Sequence, residues 1–172
     1  MDPITIRPYQ PIDLQACRAL WTELTETHRQ LYADPTIGGS EPGLYFDRHL
    51  ATVGAERLWV AERSGQLLGL VGLMLEGQEA TIEPLVVTAS ERGRGVGSLL
   101  ARRAVAEAGR LGARFLNVRP AARNKEAIAF FFHTGFCALG RVELFMDLQA
   151  NAEDATGYWE PGPELFGLSF KY

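Results

Sequence analysis

The chain has 172 residues, enough for one domain with a substantial hydrophobic core, and its apolar (47%) and charged (22%) fractions are ordinary for a soluble globular protein. Its formal charge of −4 disfavours a dedicated nucleic-acid binder, because such proteins normally carry a net basic balance or a basic face. Two distant cysteines make neither a zinc motif nor a disulfide framework, and no signal-peptide or membrane-spanning pattern is visible. We therefore expect a cytoplasmic protein with no metal, no nucleic acid and no membrane partner.

Apolar periodicity and glycine or proline punctuation predict the elements in chain order. The predicted strands are residues 4–7, 58–62, 66–75, 80–87 and 115–118. The predicted helices are residues 14–31 (capped by Asp13), 44–52, a helix beginning near Gly97 and ending at Gly112, and one from Asn124 to Gly135. Glycine turns between the second, third and fourth strands imply antiparallel hairpins.

The C-terminal part predicts less regular structure. Residues 136–148 have strand-like alternation, residues 150–163 are polar and proline-bearing, and residues 165–172 predict a last short strand. We expect a domain over residues 1–149 and a tail over residues 150–172. The last strand would complete this domain's sheet or, in a homodimer, the sheet of a second copy.

Pro84 interrupts the fourth predicted strand. Proline cannot donate a hydrogen bond to a sheet ladder, so within strands it lies at edges or bulges. An edge strand would explain Pro84 without any function. A bulge would instead leave backbone N–H groups unpaired, and a bound ligand is one partner for such groups.

The segment from Arg92 to Ser98 predicts an anion site, because it places three alternating glycines and two arginines between a strand and a helix. Glycines allow close backbone approach, and N–H groups at a helix N-terminus bind anions. The P-loop pattern requires Gly-Lys-Ser/Thr, which is absent. The dinucleotide pattern requires a parallel strand before the turn, whereas a hairpin precedes it here.

These residues resemble the GNAT superfamily of acetyl-CoA-dependent N-acetyltransferases. Residues 82–87 followed by Arg92-x-x-Gly95-x-Gly97 are similar to that superfamily's acyl-CoA-binding motif. A second match is Asn124-x-x-Ala127-x-x-Phe130-Phe131-x-x-x-Gly135-Phe136, and the element order agrees over residues 3–149. The resemblance implies a mixed α/β (α+β) fold with a mostly antiparallel sheet, a splayed and bulged central strand, and flanking helices.

The resemblance also implies an acetyl-CoA site and an activity. The activity would be transfer of acetyl from acetyl-CoA to a primary amine of a small molecule or peptide, by direct attack in a ternary complex. Glu83 would be the general base, and Tyr32 and Tyr45 would flank an acceptor site formed by the loop at residues 33–43. Contacts to acetyl-CoA would come from Leu85, Val86, Val87, Arg92, Gly93, Arg94, Gly95, Val96, Gly97, Ser98, Asn124 and Phe131.

Phe131 departs from the superfamily, which often has a tyrosine there to protonate the leaving thiolate. Phenylalanine cannot donate a proton, so Tyr32, Tyr45, His133 or water would have to serve. Asn117 stands where some relatives carry an acid. The alternative function is a non-catalytic acyl-CoA-binding or regulatory module.

Overall fold

The computed structural model describes residues 2–141 and the backbone of residues 169–170. The chain divides into two compact units, Met1–Arg119 and Pro120–Tyr172, which are described separately below. The first unit contains the helices α1 (Leu14–Tyr32), α2 (Tyr45–Val53) and α3 (Val96–Arg110). Its strands are β1 (Thr5–Pro8), β2 (Leu58–Arg63), β3 (Gln66–Glu76), β4 (Glu79–Val87) and β5 (Phe115–Asn117).

The five strands form one sheet in the order β1-β2-β3-β4-β5. The first three pairings are antiparallel, and only β4 with β5 is parallel. At the β2–β3 turn both Ser64 and Gly65 have positive φ, which is the geometry that joins two strands through a two-residue loop. The observed sheet confirms the predicted mixed α/β, mostly antiparallel fold, and each predicted strand lies within one residue of its observed bounds.

Helices cover both faces of this sheet. On one face α1 and α2 enclose the main core cluster, whose fully buried members include Cys17, Phe46, Leu58, Val60 and Leu70. On the other face α3 approaches β3 at Gly69, where an added Cβ would lie 2.9 Å from Leu100 Cδ1. Neighbouring residues Gly69 and Leu70 thus point to opposite helical layers, as the alternation of a strand requires.

Asp13 stands at the start of α1, as predicted, but its side chain does not cap that helix. Its carboxylate instead accepts from Arg7 Nη1 (2.7 Å) and Nη2 (2.8 Å) and from the backbone N–H of Gln10 (2.8 Å). These bonds tie β1 to α1, and Arg7 also donates from Nε to Glu62 on β2. The Arg7 hydrogen bond is the main reason that the pKa of Asp13 lies below its usual range.

The second unit contains α4 (Lys125–His133), which Asn124 caps: its Oδ1 atom accepts from the backbone N–H of Ala127 at 3.0 Å. Its short strands β6 (Ala138–Leu139) and β7 (Ser169–Phe170) pair in parallel within the same chain. The remaining predictions for residues 142–168, including the linker and most of the tail, lie outside the described residues. Among the helices in the described part, none has the length and apolar character to cross a membrane.

Candidate active site

The ladder between β3 and β4 is interrupted where Pro84 had indicated a bulge or an edge. Val71 pairs with Leu85, whereas Leu73 pairs with Ile82, so Gly72 alone faces both Glu83 and Pro84. β4 is not an edge strand, because β5 lies beside it at Glu79–Thr81. Pairing with β3 continues to Val87, but pairing with β5 ends at Thr81. Beyond Thr81, β4 therefore has an open side among the described residues.

The direction of backbone groups along this open side follows from one hydrogen bond. Thr88 N–H donates to Leu68 at 2.9 Å, which makes that residue pair a hydrogen-bonded pair. Since such pairs alternate along an antiparallel ladder, the backbone groups of Val86 face Leu70 on β3, whereas those of Leu85 and Val87 face the open side. The register thus distinguishes the three residues that were predicted to contact acetyl-CoA. Leu85 and Val87 have backbone groups free to bind a ligand, whereas the backbone groups of Val86 form hydrogen bonds within the sheet.

The turn at the end of β4 continues along this open side. The Val87 carbonyl accepts from Arg92 Nε at 3.1 Å, which joins the turn to the strand. Gly93 (φ 72°) and Gly95 (φ 85°) have left-handed backbone conformations that glycine adopts without a steric cost, and α3 begins at Val96.

The first turn of α3 presents its backbone N–H groups as predicted. The first hydrogen bond of the helix runs from the N–H of Leu99 to the carbonyl oxygen of Gly95, at 3.1 Å. The N–H groups of Val96, Gly97 and Ser98 therefore have no acceptor within the helix, and the positive end of the helix dipole lies at the same place. The Arg94 side chain is 57% exposed, and its Nη1 atom lies 3.6 Å from Glu91 Oε1 in an ion pair that keeps the guanidinium near this turn. The arrangement suits a phosphate or pyrophosphate group.

Glu83 lies on the sheet face covered by α1 and α2. Met74 on β3 packs against the core cluster of that face and pairs with Thr81 on β4. Paired residues point to the same side of a sheet, so Thr81 points to the α1/α2 face. Glu83, two residues later, points to that face as well. Val86 belongs to the same cluster, which fits only if the bulge adds one residue after Glu83. The Glu83 side chain is exposed, and its carboxylate has no hydrogen-bond or ion-pair partner among residues 2–141.

His49 on α2 is a residue that the sequence did not indicate. It is 9% exposed, its ring lies 5.0 Å from that of Trp21, and its Nε2 atom is buried without a hydrogen-bond partner in the described part of the chain. Burial lowers its pKa, opposed by the Glu83 carboxylate and backbone carbonyl. A helical pattern alone could not identify it, because the residue becomes notable only when α2 packs on the sheet beside Glu83.

The loop between α1 and α2 forms a cleft of about 230 Å³ that includes the predicted acceptor residue Tyr45 but not Tyr32. Arg48 lies over the Tyr45 ring at 5.0 Å. Two acids that could have attracted a cationic acceptor are already occupied: Asp34 accepts from Thr36, and Asp47 accepts from Arg18. Of the three nearby acids, Glu41 alone lines the cleft.

A larger groove of about 590 Å³ lies between α1 and the β2–β3 turn. Its charged groups already have partners in the fold. Arg7 binds Asp13 and Glu62, while Glu23 accepts from the Thr88 hydroxyl (2.8 Å) and the Ala89 N–H (2.9 Å). This groove therefore offers a ligand fewer unpaired polar groups than the open side of β4 does.

Comparison with known proteins agrees with this geometry. The model of the Acetyltransferase (GNAT) family matches residues 16–136, more than two thirds of the chain. The chain belongs to the GNAT acetyltransferase family. No curated protein sequence matches it significantly.

Solved structures of GNAT-like fold are similar to this GNAT chain over most of its length. A transcriptional regulator from Bacillus halodurans C-125 matches with a TM-score of 0.65 and 21% identity, covering 85% of this chain and 100% of that one. AAC(6')-Iy in complex with a bisubstrate analogue matches with a TM-score of 0.62 and 18% identity, covering 84% and 98%. A GNAT family acetyltransferase from Brucella melitensis in complex with acetyl-CoA matches with a TM-score of 0.54 and 22% identity, covering 74% and 82%.

The remaining predicted site residues of the GNAT domain lie in other settings. Phe131, in the second unit, packs edge-on against Phe130 (5.1 Å between ring centroids) and Phe136 (5.5 Å). Asn124 has the capping bond given above, and its contact with acetyl-CoA stays a prediction. Asn117 donates from Nδ2 to Glu79 Oε2 at 3.0 Å, which gives it a structural role at the β4–β5 pairing.

Proposed function

We propose that this GNAT protein transfers the acetyl group of acetyl-CoA to a primary amine by direct attack in a ternary complex. The observation that carries the proposal is the continuity of the open side of β4 with the glycine turn before α3. Backbone donors and a helix N-terminus follow one another there, and their order matches a ligand with a polar amide arm and a pyrophosphate. Acetyl-CoA supplies the acetyl group as an activated thioester.

In this proposal, different residues of the chain bind different parts of acetyl-CoA. The backbone groups of Leu85 and the N–H of Val87 bind the amide arm, and an N–H on this side polarises the thioester carbonyl. The pyrophosphate binds at the N–H groups of Val96, Gly97 and Ser98. Arg92 and Arg94 add positive charge. Gly93 and Gly95 let the backbone approach the phosphate oxygens because they carry no Cβ.

Glu83 acts as the general base. An amine attacks only as the neutral species, so a carboxylate must take up its proton, directly or through water. The Glu83 carboxylate suits this role because it is exposed, unpaired among the described residues and placed at the bulge where β4 opens. The tyrosine-acid step of some relatives has no equivalent at Phe131. The CoA thiol has a pKa of about 8.5 by analogy with cysteine, so the thiolate can leave and take its proton from water.

The acceptor amine, of a small molecule or a peptide, enters along α2. Tyr45 lines the cleft of the α1–α2 loop, and His49, one helical turn later, is close enough to Glu83 for that carboxylate to raise its pKa. One acceptor molecule therefore reaches from the cleft, where part of it binds, to Glu83, where its amine reacts. Tyr32 ends α1 on the other flank of that loop.

Paired arginine variants test the acetyl-CoA site. We expect Arg92→Ala and Arg94→Ala each to weaken acetyl-CoA binding about tenfold or more, since a hydrogen bond to a charged group contributes roughly 1.5–3 kcal/mol. Arg102→Ala is the matched control, because Arg102 is exposed further along the same helix, α3. Calorimetric titration measures the three dissociation constants. Equal affinities in all three variants would contradict the placement of the pyrophosphate.

The second candidate is a non-catalytic acyl-CoA-binding or regulatory module, favoured by the phenylalanine at position 131. It shares the binding site and differs only in turnover. Acetyl-CoA binding without thiol release for any amine would support it, whereas turnover with one acceptor would exclude it.

A further inference from the structure

His49 and Glu83 both lie on the side of the sheet that α1 and α2 cover, and each has a polar side-chain atom without a hydrogen-bond partner among residues 2–141. The Nε2 atom of His49 is buried and has no hydrogen-bond partner in the described part of the chain. A buried polar group left unpaired is costly, so it calls for an explanation. Glu83 leaves the bulge toward the same helical layer, and its carboxylate also lacks a partner among residues 2–141.

The setting of His49 restricts what its ring can do. It belongs to α2, whose neighbouring residues Phe46 and Val53 are fully buried, and the Trp21 indole lies against it. The ring therefore has little room to turn toward solvent. Among the described residues, Glu83 opposes the effect of burial on the pKa of His49 twice, through its carboxylate and through its backbone carbonyl, so the ring lies close to Glu83.

We propose that His49 is a positioning residue for Glu83: its neutral imidazole donates from Nε2 to the Glu83 carboxylate and holds it toward the incoming amine. The proposal rests on the proposed function for its catalytic consequence only. Burial favours the neutral imidazole, which still has one N–H donor. A neutral ring also carries no positive charge that would compete with the acceptor's ammonium group for the Glu83 carboxylate.

The other titratable groups around α2 do not replace Glu83 in this pairing. Arg18 of α1 and Asp47 of α2 neutralise each other in an ion pair. Tyr9 and Cys17, which belong to the same core cluster, both have raised pKa values through burial, to about 12 for Cys17, so they stay uncharged near neutral pH.

The pairing has a consequence for pH. When the pH falls through the lowered pKa of His49, the imidazolium that forms attracts the Glu83 carboxylate as an ion and withdraws it from the amine. We expect the wild-type rate to fall over that range, and His49→Gln, which does not titrate, to lack that part of the fall.

The first test is an NMR titration of the histidine rings, which requires no activity. Glu83→Gln should move the His49 midpoint to lower pH, because the carboxylate raises the pKa of His49. His28 is an internal reference, since only burial shifts its pKa, and Glu76→Gln controls for loss of one exposed carboxylate. His49→Gln assigns the resonance. An unmoved His49 midpoint in Glu83→Gln overturns the pairing.

The second test separates positioning from packing. His49→Phe keeps a ring against Trp21 but has no donor, and we expect kcat to fall about tenfold with acetyl-CoA affinity unchanged. His49→Gln should recover most of that loss at neutral pH, because its amide can donate to Glu83. Equal kcat in His49→Phe and wild type overturns the positioning role. A coupled titration in a protein that turns over no amine would instead overturn the proposed function and leave the pairing standing.

Discussion

Glu83 has an exposed side chain and the largest proposed share of the chemistry. It projects from a bulge between a buried strand and two helices, with its carboxylate exposed. We expect Glu83→Gln to lower kcat about 100-fold or more near neutral pH, because a positioned general base contributes roughly 10²- to 10⁴-fold. Acetyl-CoA affinity should not change, since no backbone donor is altered.

Steady-state kinetics with calorimetry measures both quantities. Glu76→Gln, which removes an exposed acid at the far end of β3, should retain the wild-type rate. A Glu83→Gln rate within twofold of wild type would remove Glu83 as the base.

Asp13 illustrates a residue that matters for stability and not for the reaction. Its side chain is 3% exposed and accepts two bonds from Arg7 and one from Gln10. Asp13→Asn should cost about 2 kcal/mol of unfolding free energy, because it weakens the hydrogen bonds from Arg7 and Gln10 to a buried carboxylate while Arg7 keeps its ion pair with Glu62. Asp47→Asn removes a carboxylate from the more exposed pair with Arg18 and should cost much less.

Urea unfolding across pH distinguishes the two variants. Because the folded pKa of Asp13 is lowered, its stabilisation is present above the unfolded value of about 3.9 and is lost as the pH falls through the folded value. Wild type should therefore lose stability in that acid range more steeply than Asp13→Asn. Parallel pH curves for the two proteins would contradict this role.

At the scale of elements, β4 depends on a glycine in its neighbour. An added Cβ at Gly72 would lie 2.5 Å from the Glu83 carbonyl oxygen and 2.8 Å from Leu58 Cδ2. Gly72→Ala should therefore displace the bulge or the core beneath it, which lowers both kcat and the free energy of unfolding. Gly109→Ala on α3 is the control: its Cβ would meet nothing within 4 Å, and alanine stabilises a helix relative to glycine by roughly 0.5–1 kcal/mol.

Thermal unfolding and steady-state rates check this prediction together. A Gly72→Ala protein with wild-type rate and stability would show that the close approach at the bulge is not required.

Strand and helix positions followed from the sequence because turns and breaks are marked locally. Ser64-Gly65 and Gly112 end their elements through backbone conformation, and Pro84 indicated the irregularity in β4. The sequence could not choose between an edge and a bulge at Pro84, because that depends on β5, about 30 residues later in the chain. The sequence also could not show that the backbone groups of Leu85 and Val87, but not those of Val86, face the open side, because the register with β3 decides this.

The sequence did not indicate His49 and predicted Asp13 as a helix cap, for the same physical reason. Local periodicity places His49 in a helix and Asp13 at a helix start, but the partner of Asp13 comes from β1 and the proposed partner of His49 from β4. Such partners are fixed by tertiary packing, which short patterns do not encode. The roles of all the predicted site residues in the reaction, including Asn124, Phe131 and Tyr32, stay predictions.

At the scale of the whole molecule, the formal charge of −4 and the proposed polyanionic ligand are compatible. Arg92, Arg94 and the N-terminus of α3 concentrate positive potential at one turn, so the sign of the total charge does not determine what that turn binds. Acidic residues elsewhere are partly used within the fold, as in the pairs Arg7–Asp13 and Arg18–Asp47. The homodimer and the cytoplasmic location stay predictions.

The central claim is that an amine receives the acetyl group of acetyl-CoA at the open side of β4. Its most direct test is thiol release measured with the protein, acetyl-CoA and a panel of small-molecule and peptide amines, with the acetylated product identified by mass spectrometry. We predict release that requires both the protein and an amine, and that falls about 100-fold or more in Glu83→Gln. Binding of acetyl-CoA with no amine-dependent release across the panel would contradict the claim.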